Sequence, residues 1–324
     1  RLITSMLSNT NHWVKVTGDK SLKKRDMSRV IKPLKSLGIK FKNNRTKLPI
    51  WVRGPKLLNP IKYTENLGSA QCKSAVMIAA LKANGKTKLK CLPSRNHTEL
   101  MFKNVLKIPI KLKKKKNFDI IEVDGINEFR GFNYKIPGDI SSASFFIVLT
   151  LLSNKNSLSI KNVNINPSRT GIIKILNMMG AQIKIFNKKS YKGEPIADLF
   201  IQSNKRLKAI NLNPKFNSSA IDEFLLIFLV AAKAKGVSFF KDLSELNQKE
   251  SPRLKWGQRI LNHMGVKTIT TNNSIKIFGN PELNINKKIV IKNYLKDHRV
   301  FMTSVVAGLS FGGYWYIHDK SSVK

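Results

Sequence analysis

Residues 168–185 read SRTGIIKILNMMGAQIKI, and residues 138–155, a little upstream, read GDISSASFFIVLTLLSNK. The first stretch is amphipathic at helical spacing and closes on Met-Gly, which predicts a helix stopped by a glycine and succeeded by a strand. The second opens on Asp and Ser and is then apolar on every side, so it predicts a helix buried all round. Both kinds recur. Arg169, near the start of the first, has counterparts in Arg25 of KRDMSRVIKPLKSLGIKF, Arg95 of SRNHTELMFKNVLKIPIK and Arg253 of SPRLKWGQRILNHMGVKTI. The closing glycine is Gly38, Gly180 or Gly265; the copy that carries Arg95 lacks it. Apolar counterparts open near residues 69, 141, 222 and 297. Two interleaved helix types returning every 70 to 85 residues, with strands between them, predict a tandem α/β unit in four copies.

A chain of 324 residues that is 42% hydrophobic can bury a substantial core, which excludes a disordered class. The formal net charge of +40 and pI near 10.4 point toward a polyanionic partner. Against this, lysine is spread along the whole chain, turns included, and no aromatic interleaving or nucleic-acid motif accompanies it. The densest run, Lys113–Lys116, lies between two strand-like segments and is expected to be a solvated hairpin tip. Cys72 and Cys91 form no disulfide framework or metal-ligand set, and no signal peptide is in view. They are expected to be reduced thiols in a cytoplasmic protein. The longest apolar run, Phe224–Ala232, is nine residues, well short of the roughly 20 that a membrane helix needs. The chain opens on RLITSML without an initiating Met and stops at HDKSSVK, so a fragment is expected.

Helix starts are where function is expected. The first turn of a helix exposes four unpaired N–H groups and roughly half a positive charge, and several starts converging on one cleft make an anion site. Polar residues gather there: Ser69-Ala70-Gln71, Asp139 with Ser141-Ser142, Asp222-Glu223 and Asp297-His298-Arg299. Ser and Asp are good helix caps, and capping is the simpler reading of Ser141 and Ser142. Capping does not account for Gln71, Lys249 or Arg299, which run against the dipole unless a multiply charged anion binds. Asp222 among these cations has the setting of a general base.

In this order and spacing, the runs GDISSASFF, NPSRTGIIKILNMMGA, IDEF, QKESPR and DHRVFM resemble the 5-enolpyruvylshikimate-3-phosphate synthases, also called 3-phosphoshikimate 1-carboxyvinyltransferases. SAQ and SRNHTE are similar to the bacterial branch that includes glyphosate-insensitive enzymes. The resemblance covers nearly the whole chain. It implies an α/β fold of two domains, here 1–137 and 138–324, built from βαβαββ units whose helix starts face an interdomain cleft. It further implies transfer of the enolpyruvyl group of phosphoenolpyruvate to the 5-hydroxyl of shikimate 3-phosphate, in aromatic amino-acid biosynthesis, by a cytoplasmic monomer without metal or cofactor. By position, Arg25, Arg253 and Arg299 would grip phosphoenolpyruvate. Ser69, Ala70, Gln71 and Lys249 would contact shikimate 3-phosphate, with Ser94 or Arg95 adding a phosphate contact. Asp222 would take the hydroxyl proton, and Glu250 would serve proton delivery at the methylene carbon. Pro252 stands where the family usually has Asp. The family's N-terminal Lys-Ser and Arg, its Gly-containing loop and its closing segment are missing from this chain, which is expected to hold four full units of six. The related enolpyruvyl transferase acting on UDP-N-acetylglucosamine is the alternative of the same chemistry. Neither cysteine lies in that enzyme's reactive-loop context, and a basic nucleic-acid-binding protein is the alternative of another class.

Overall fold

A computed structural model of the chain describes residues 1–323 apart from 127, 129 and 205, and at 21 the backbone alone. The chain divides into two compact units, Arg1–Tyr134 and Lys135–Lys324.

In the first unit one βαβαββ copy is complete. Strand Lys62–Glu65 leads into helix Ala70–Ala80 and strand Lys86–Cys91, then helix His97–Asn104 and the hairpin of strands Ile110–Lys114 and Asp119–Asp124. The first two strands pair in parallel and the rest antiparallel, Leu89 facing Tyr63 on one side and Ile121 on the other. Ahead of this copy, strands Val14–Val16, Lys40–Lys42 and Ile50–Arg53 form a second sheet around helix Ser28–Ser36. Helix Ala70–Ala80 lies between the two sheets, which explains its composition. Ala75 and Ala79 pack with Val30, Leu34 and Val52, whereas Val76, Met77 and Ala80 pack with Leu89, Ile121 and Val123. With both faces covered, the one charge in its middle, Lys73, is buried too.

The second unit repeats the plan around a single core. Helix Ile140–Leu152, strand Ser157–Asn164, helix Gly171–Met178 and strands Gln182–Tyr191 and Glu194–Gln202 form one copy. Helix Phe224–Lys233, strand Gly236–Phe240, helix Arg253–His263 and strands Thr268–Thr270 and Ile275–Gly279 form the next. In each, the leading strand is reduced to parallel bridges, Gly138 to Val163 and Lys208 to Lys235. Strand Ile285–Ile291, helix His298–Phe311 and strand Gly312–Ile317 make the first half of a further copy, its two strands parallel. The three apolar helices of this unit pack against one another.

The expectation of four full copies is corrected: three have both helices and all their sheet partners, and the outer two are partial. Sequence periodicity counts four helices of each type, but helix Ser28–Ser36 at one end and helix His298–Phe311 at the other each lack a full counterpart among the described residues. The glycine stops are as expected. Gly38, Gly180 and Gly265 have φ of 96°, 93° and 82°. The next residue's N–H reaches back across the helix end to Leu34, Leu176 and Leu261 respectively, the double-turn closure that a left-handed glycine permits. The copy without glycine ends differently, with Lys107 at φ 55° and Ile108 N–H on the Phe102 carbonyl. Lys113 and Lys114 finish an edge strand, and Lys115 and Lys116 enter the hairpin turn closed by Lys115 N–H on the Phe118 carbonyl. All four are exposed. Among the described residues no helix is long and apolar enough to cross a membrane.

Candidate active site

The second unit collects charge at the starts of its apolar helices. Asp297 caps helix His298–Phe311 by accepting the Arg299 N–H at 3.0 Å, and it is fully buried. The same carboxylate receives Arg253 Nε at 2.9 Å, Arg253 Nη2 at 3.3 Å and the Ser251 hydroxyl at 2.9 Å. Burial by itself would raise the Asp297 pKa; the Arg253 guanidinium and these hydrogen bonds outweigh it and hold the carboxyl below its ordinary value. Arg253, 2% exposed, is shifted the other way, since the same carboxylates outweigh its own burial.

Arg253 also donates to Glu250 and, through Nη1 at 3.4 Å, to Asp222 Oδ1. Lys249 Nζ lies 3.2 Å from that same Asp222 oxygen. Asp222 and Glu250, the two carboxylates expected to move protons, are therefore joined through one arginine. Lys249, Glu250 and Ser251 sit between a short 3-10 turn, Ser244–Gln248, and helix Arg253–His263. Pro252 occupies the N-cap place of that helix, where a missing N–H costs nothing. Arg253, the residue after Pro252, has its buried counter-ion in Asp297, 44 residues on.

Arg299 is held differently. Its Nη1 donates to the Asp222 carbonyl at 2.8 Å and lies 3.6 Å from Glu223 Oε1. Glu223 in turn accepts the Ser141 hydroxyl, whose oxygen accepts Arg169 Nη2 at 2.7 Å; Arg169 also reaches Asp139 at 2.6 Å. The capping reading of Ser141 is thus corrected: its hydroxyl points at a carboxylate of the next copy, 82 residues away. Ser142 does not cap either: it lies in the first turn and donates to Asp139 at 3.4 Å, and Asp139, in the N-cap place, makes no side-chain cap bond. His298, exposed at the surface and next to Arg299, is held below its usual pKa by partial desolvation and by that cation.

The first unit has its own polar cluster. Ser69 caps helix Ala70–Ala80 by accepting the Cys72 N–H at 3.3 Å, which puts Ala70 and Gln71 in the first turn. Gln71 Oε1 accepts Arg1 Nη1 at 2.7 Å, and Arg1 Nη2 binds the Asp26 carbonyl at 2.9 Å. Arg1, Arg25, Lys15 and Gln71 line a cavity of about 440 Å³. Burial, then Arg25 and Arg29, lower the pKa of Arg1. Ser94 Oγ is buried without a hydrogen-bond partner three residues ahead of helix His97–Asn104, and Arg95 follows it. Beneath this surface, Lys73 and Glu99, 0% and 4% exposed, pair at 2.7 Å and tie the two helices of the copy together, beside a Ser74–Thr98 contact of 2.6 Å. Burial lifts the thiols of Cys72 and Cys91 to about 11, so both stay protonated and inert at neutral pH.

Most of the expected residues therefore sit at or close to a helix start of their own unit, whereas Arg25 closes the short helix Lys20–Lys24. Asp222, Lys249, Glu250, Arg253 and Arg299 are brought into one cluster; Arg25 and Gln71 share a cavity wall. Sequence reasoning passed over Arg1 and Lys73, and it named Asp297 and Glu223 only as members of helix-start clusters, without a role. Among the described residues no His, Cys, Asp and Glu side chains gather into a group that could hold a metal ion.

The sequence pattern of EPSP synthase (3-phosphoshikimate 1-carboxyvinyltransferase) matches residues 1–324. The chain belongs to the EPSP synthase family. It is 38% identical over 319 residues to the 3-phosphoshikimate 1-carboxyvinyltransferase of Petrotoga mobilis, covering 95% of this chain and 70% of that protein. The EPSP synthase structure from Acinetobacter baumannii superposes with a TM-score of 0.85 at 34% identity, over 99% of this chain and 73% of that one. The enolpyruvyl transferase NikO from Streptomyces tendae shares the fold, with a TM-score of 0.73 at 11% identity over 99% and 72% of the two chains. Within the EPSP synthase family the charged cluster of the second unit acquires a chemical context.

Proposed function

We infer that this protein transfers the enolpyruvyl group of phosphoenolpyruvate to the 5-hydroxyl of shikimate 3-phosphate and releases phosphate. The observation that carries the reading is the Asp222–Arg253–Glu250 cluster, with Lys249 3.2 Å from Asp222. Both substrates are phosphorylated carboxylates, and the reaction needs two proton movements. The hydroxyl proton must leave as the new O–C bond forms. A proton must also join the methylene carbon for the addition and leave it as phosphate departs. We assign the first to Asp222 and the second to Glu250. Both carboxylates stand beside cations, Asp222 by Lys249 and Arg253 and Glu250 by Arg253.

Arg299 and Arg253 are assigned to phosphoenolpyruvate, for which a guanidinium offers a planar two-point fork. Arg253 already spends its fork on carboxylates and must exchange one of them for the ligand. On the first unit, Ser69, Ala70 and Gln71 are assigned to shikimate 3-phosphate, as is Lys249 on the second. The unsatisfied Ser94 hydroxyl and Arg95 are assigned to its phosphate, and Arg25 is a further anion contact. The two compact units are proposed to be the family's two domains, working as a cytoplasmic monomer.

Phosphate release measured with both substrates tests the reading. Activity should require both. Asp222→Ala and Glu250→Ala should each lower kcat about 10²- to 10⁴-fold, with shikimate 3-phosphate binding, measured calorimetrically, changed far less. Unchanged turnover in either variant would remove that residue from the mechanism.

A further inference from the structure

Glu223 is a buried acid that the proposed chemistry does not use. It is 2% exposed and stands at the start of helix Phe224–Lys233 without capping it. A carboxylate is costly to bury unless donors surround it, and its donors come from two other helix starts. One is the Ser141 hydroxyl and the other is Arg299 Nη1 at 3.6 Å. Ser141, itself 2% exposed, has one hydrogen to give and gives it to Glu223. Its oxygen is thereby left to accept Arg169 Nη2. The donor direction along this line is fixed: Arg169 to Ser141, Ser141 to Glu223, with Arg299 arriving at Glu223 from the other side.

The consequence falls on Arg299. Its Nη1 is occupied by the Asp222 carbonyl and Glu223, while its Nε and Nη2 have no partner among the described residues. The Nε–Nη2 edge is one of the two edges by which a guanidinium receives an oxyanion with two parallel hydrogen bonds. Arg253 offers no such edge, because Asp297 already fills it. A guanidinium on a long, flexible side chain presents one edge only if the other side is fixed.

We propose that Glu223, braced by Ser141 and Arg169, is a positioning residue that fixes Nη1 of Arg299 and so keeps the Nε–Nη2 edge ready for the anionic groups of phosphoenolpyruvate. The inference rests on the assignment of Arg299 to that substrate. The test is a set of steady-state measurements on Glu223→Gln, Ser141→Ala, their double variant and Arg299→Lys, with melting temperatures alongside. Glu223→Gln should raise the KM for phosphoenolpyruvate about tenfold and leave the KM for shikimate 3-phosphate within about twofold, because the charge that aims the arginine is gone. Ser141→Ala should move the same constant in the same direction by less, and the double variant should be no worse than Glu223→Gln alone, since both changes cut one line. If Glu223→Gln fails to fold, Ser141→Ala carries the test by itself. A lower melting temperature and kcat with phosphoenolpyruvate KM unchanged in both variants would reduce Glu223 to a structural tie and overturn the proposal. No effect of Arg299→Lys on that KM would instead refute the arginine's assignment, and the inference would fall with it.

Discussion

Asp297 combines two tasks that are usually separate, a helix cap and the counter-ion of a buried arginine. Its two oxygens accept four hydrogen bonds, from Ser251, Arg299 N–H and two nitrogens of Arg253. Because its folded-state pKa lies below the ordinary 3.8, the unfolded chain binds its proton first on acidification. The stabilisation is therefore complete above about pH 4 and is lost as pH falls through the lowered value. Thermal melts between about pH 6 and pH 3 should show this loss. Asp297→Asn should be less stable than the parent at neutral pH by about 3–5 kcal/mol, as for a buried pair with one partner removed, and should shed that part of the acid dependence. An Asn variant with the parent's full acid dependence would place the titration elsewhere. From sequence, Asp297 reads as a cap and nothing more, since capping is decided within three residues while its arginine lies 44 positions away. Lys249, Glu250 and Arg253 were legible because their crowding is itself local.

At the scale of elements, the fold depends on amphipathic helices lying close against apolar ones. Gly257 is where helix Arg253–His263 meets helix Phe224–Lys233. A Cβ there would stand 2.6 Å from Phe228 Cδ2 and 3.2 Å from Leu225 Cδ2. The Phe228 ring cannot yield easily, being 1% exposed and packed at 5.8 Å and 5.4 Å from the rings of Phe224 and Phe240. Alanine would gain up to about 1 kcal/mol of helix propensity, whereas overpacking costs about 1–3 kcal/mol, so the clash should win. Gly257→Ala is expected to lower the urea midpoint without changing the slope, and a midpoint at or above the parent's would show that the two helices can part there. The helix types and their glycine stops were readable because apolar spacing and φ preference act over one or two turns. The leading strands of the copies were not, because bridges such as Gly138 to Val163 carry too few residues for a period.

Across the whole molecule the net charge of +40 invites a polyanion, but its placement argues otherwise. The densest run finishes an edge strand and its turn, where exposed lysines discourage edge-to-edge association. Changing Lys113–Lys116 to Gln should leave both substrate KM values within about twofold, since salt screens exposed charges. A loss of affinity as large as that expected for Arg299→Lys would move the binding site to the basic surface. The sequence alone determined the alternation of buried and amphipathic helices, the glycine stops, the lysine hairpin and the motif order that marks the EPSP synthase family. All of these are written in local spacing or linear order. Only the tertiary structure decided which copies are complete, that Arg253 belongs to Asp297, and that Ser141 serves Glu223 rather than its own helix. Those pairings join residues 44 and 82 positions apart, and their energies exist only once the core has excluded water around them.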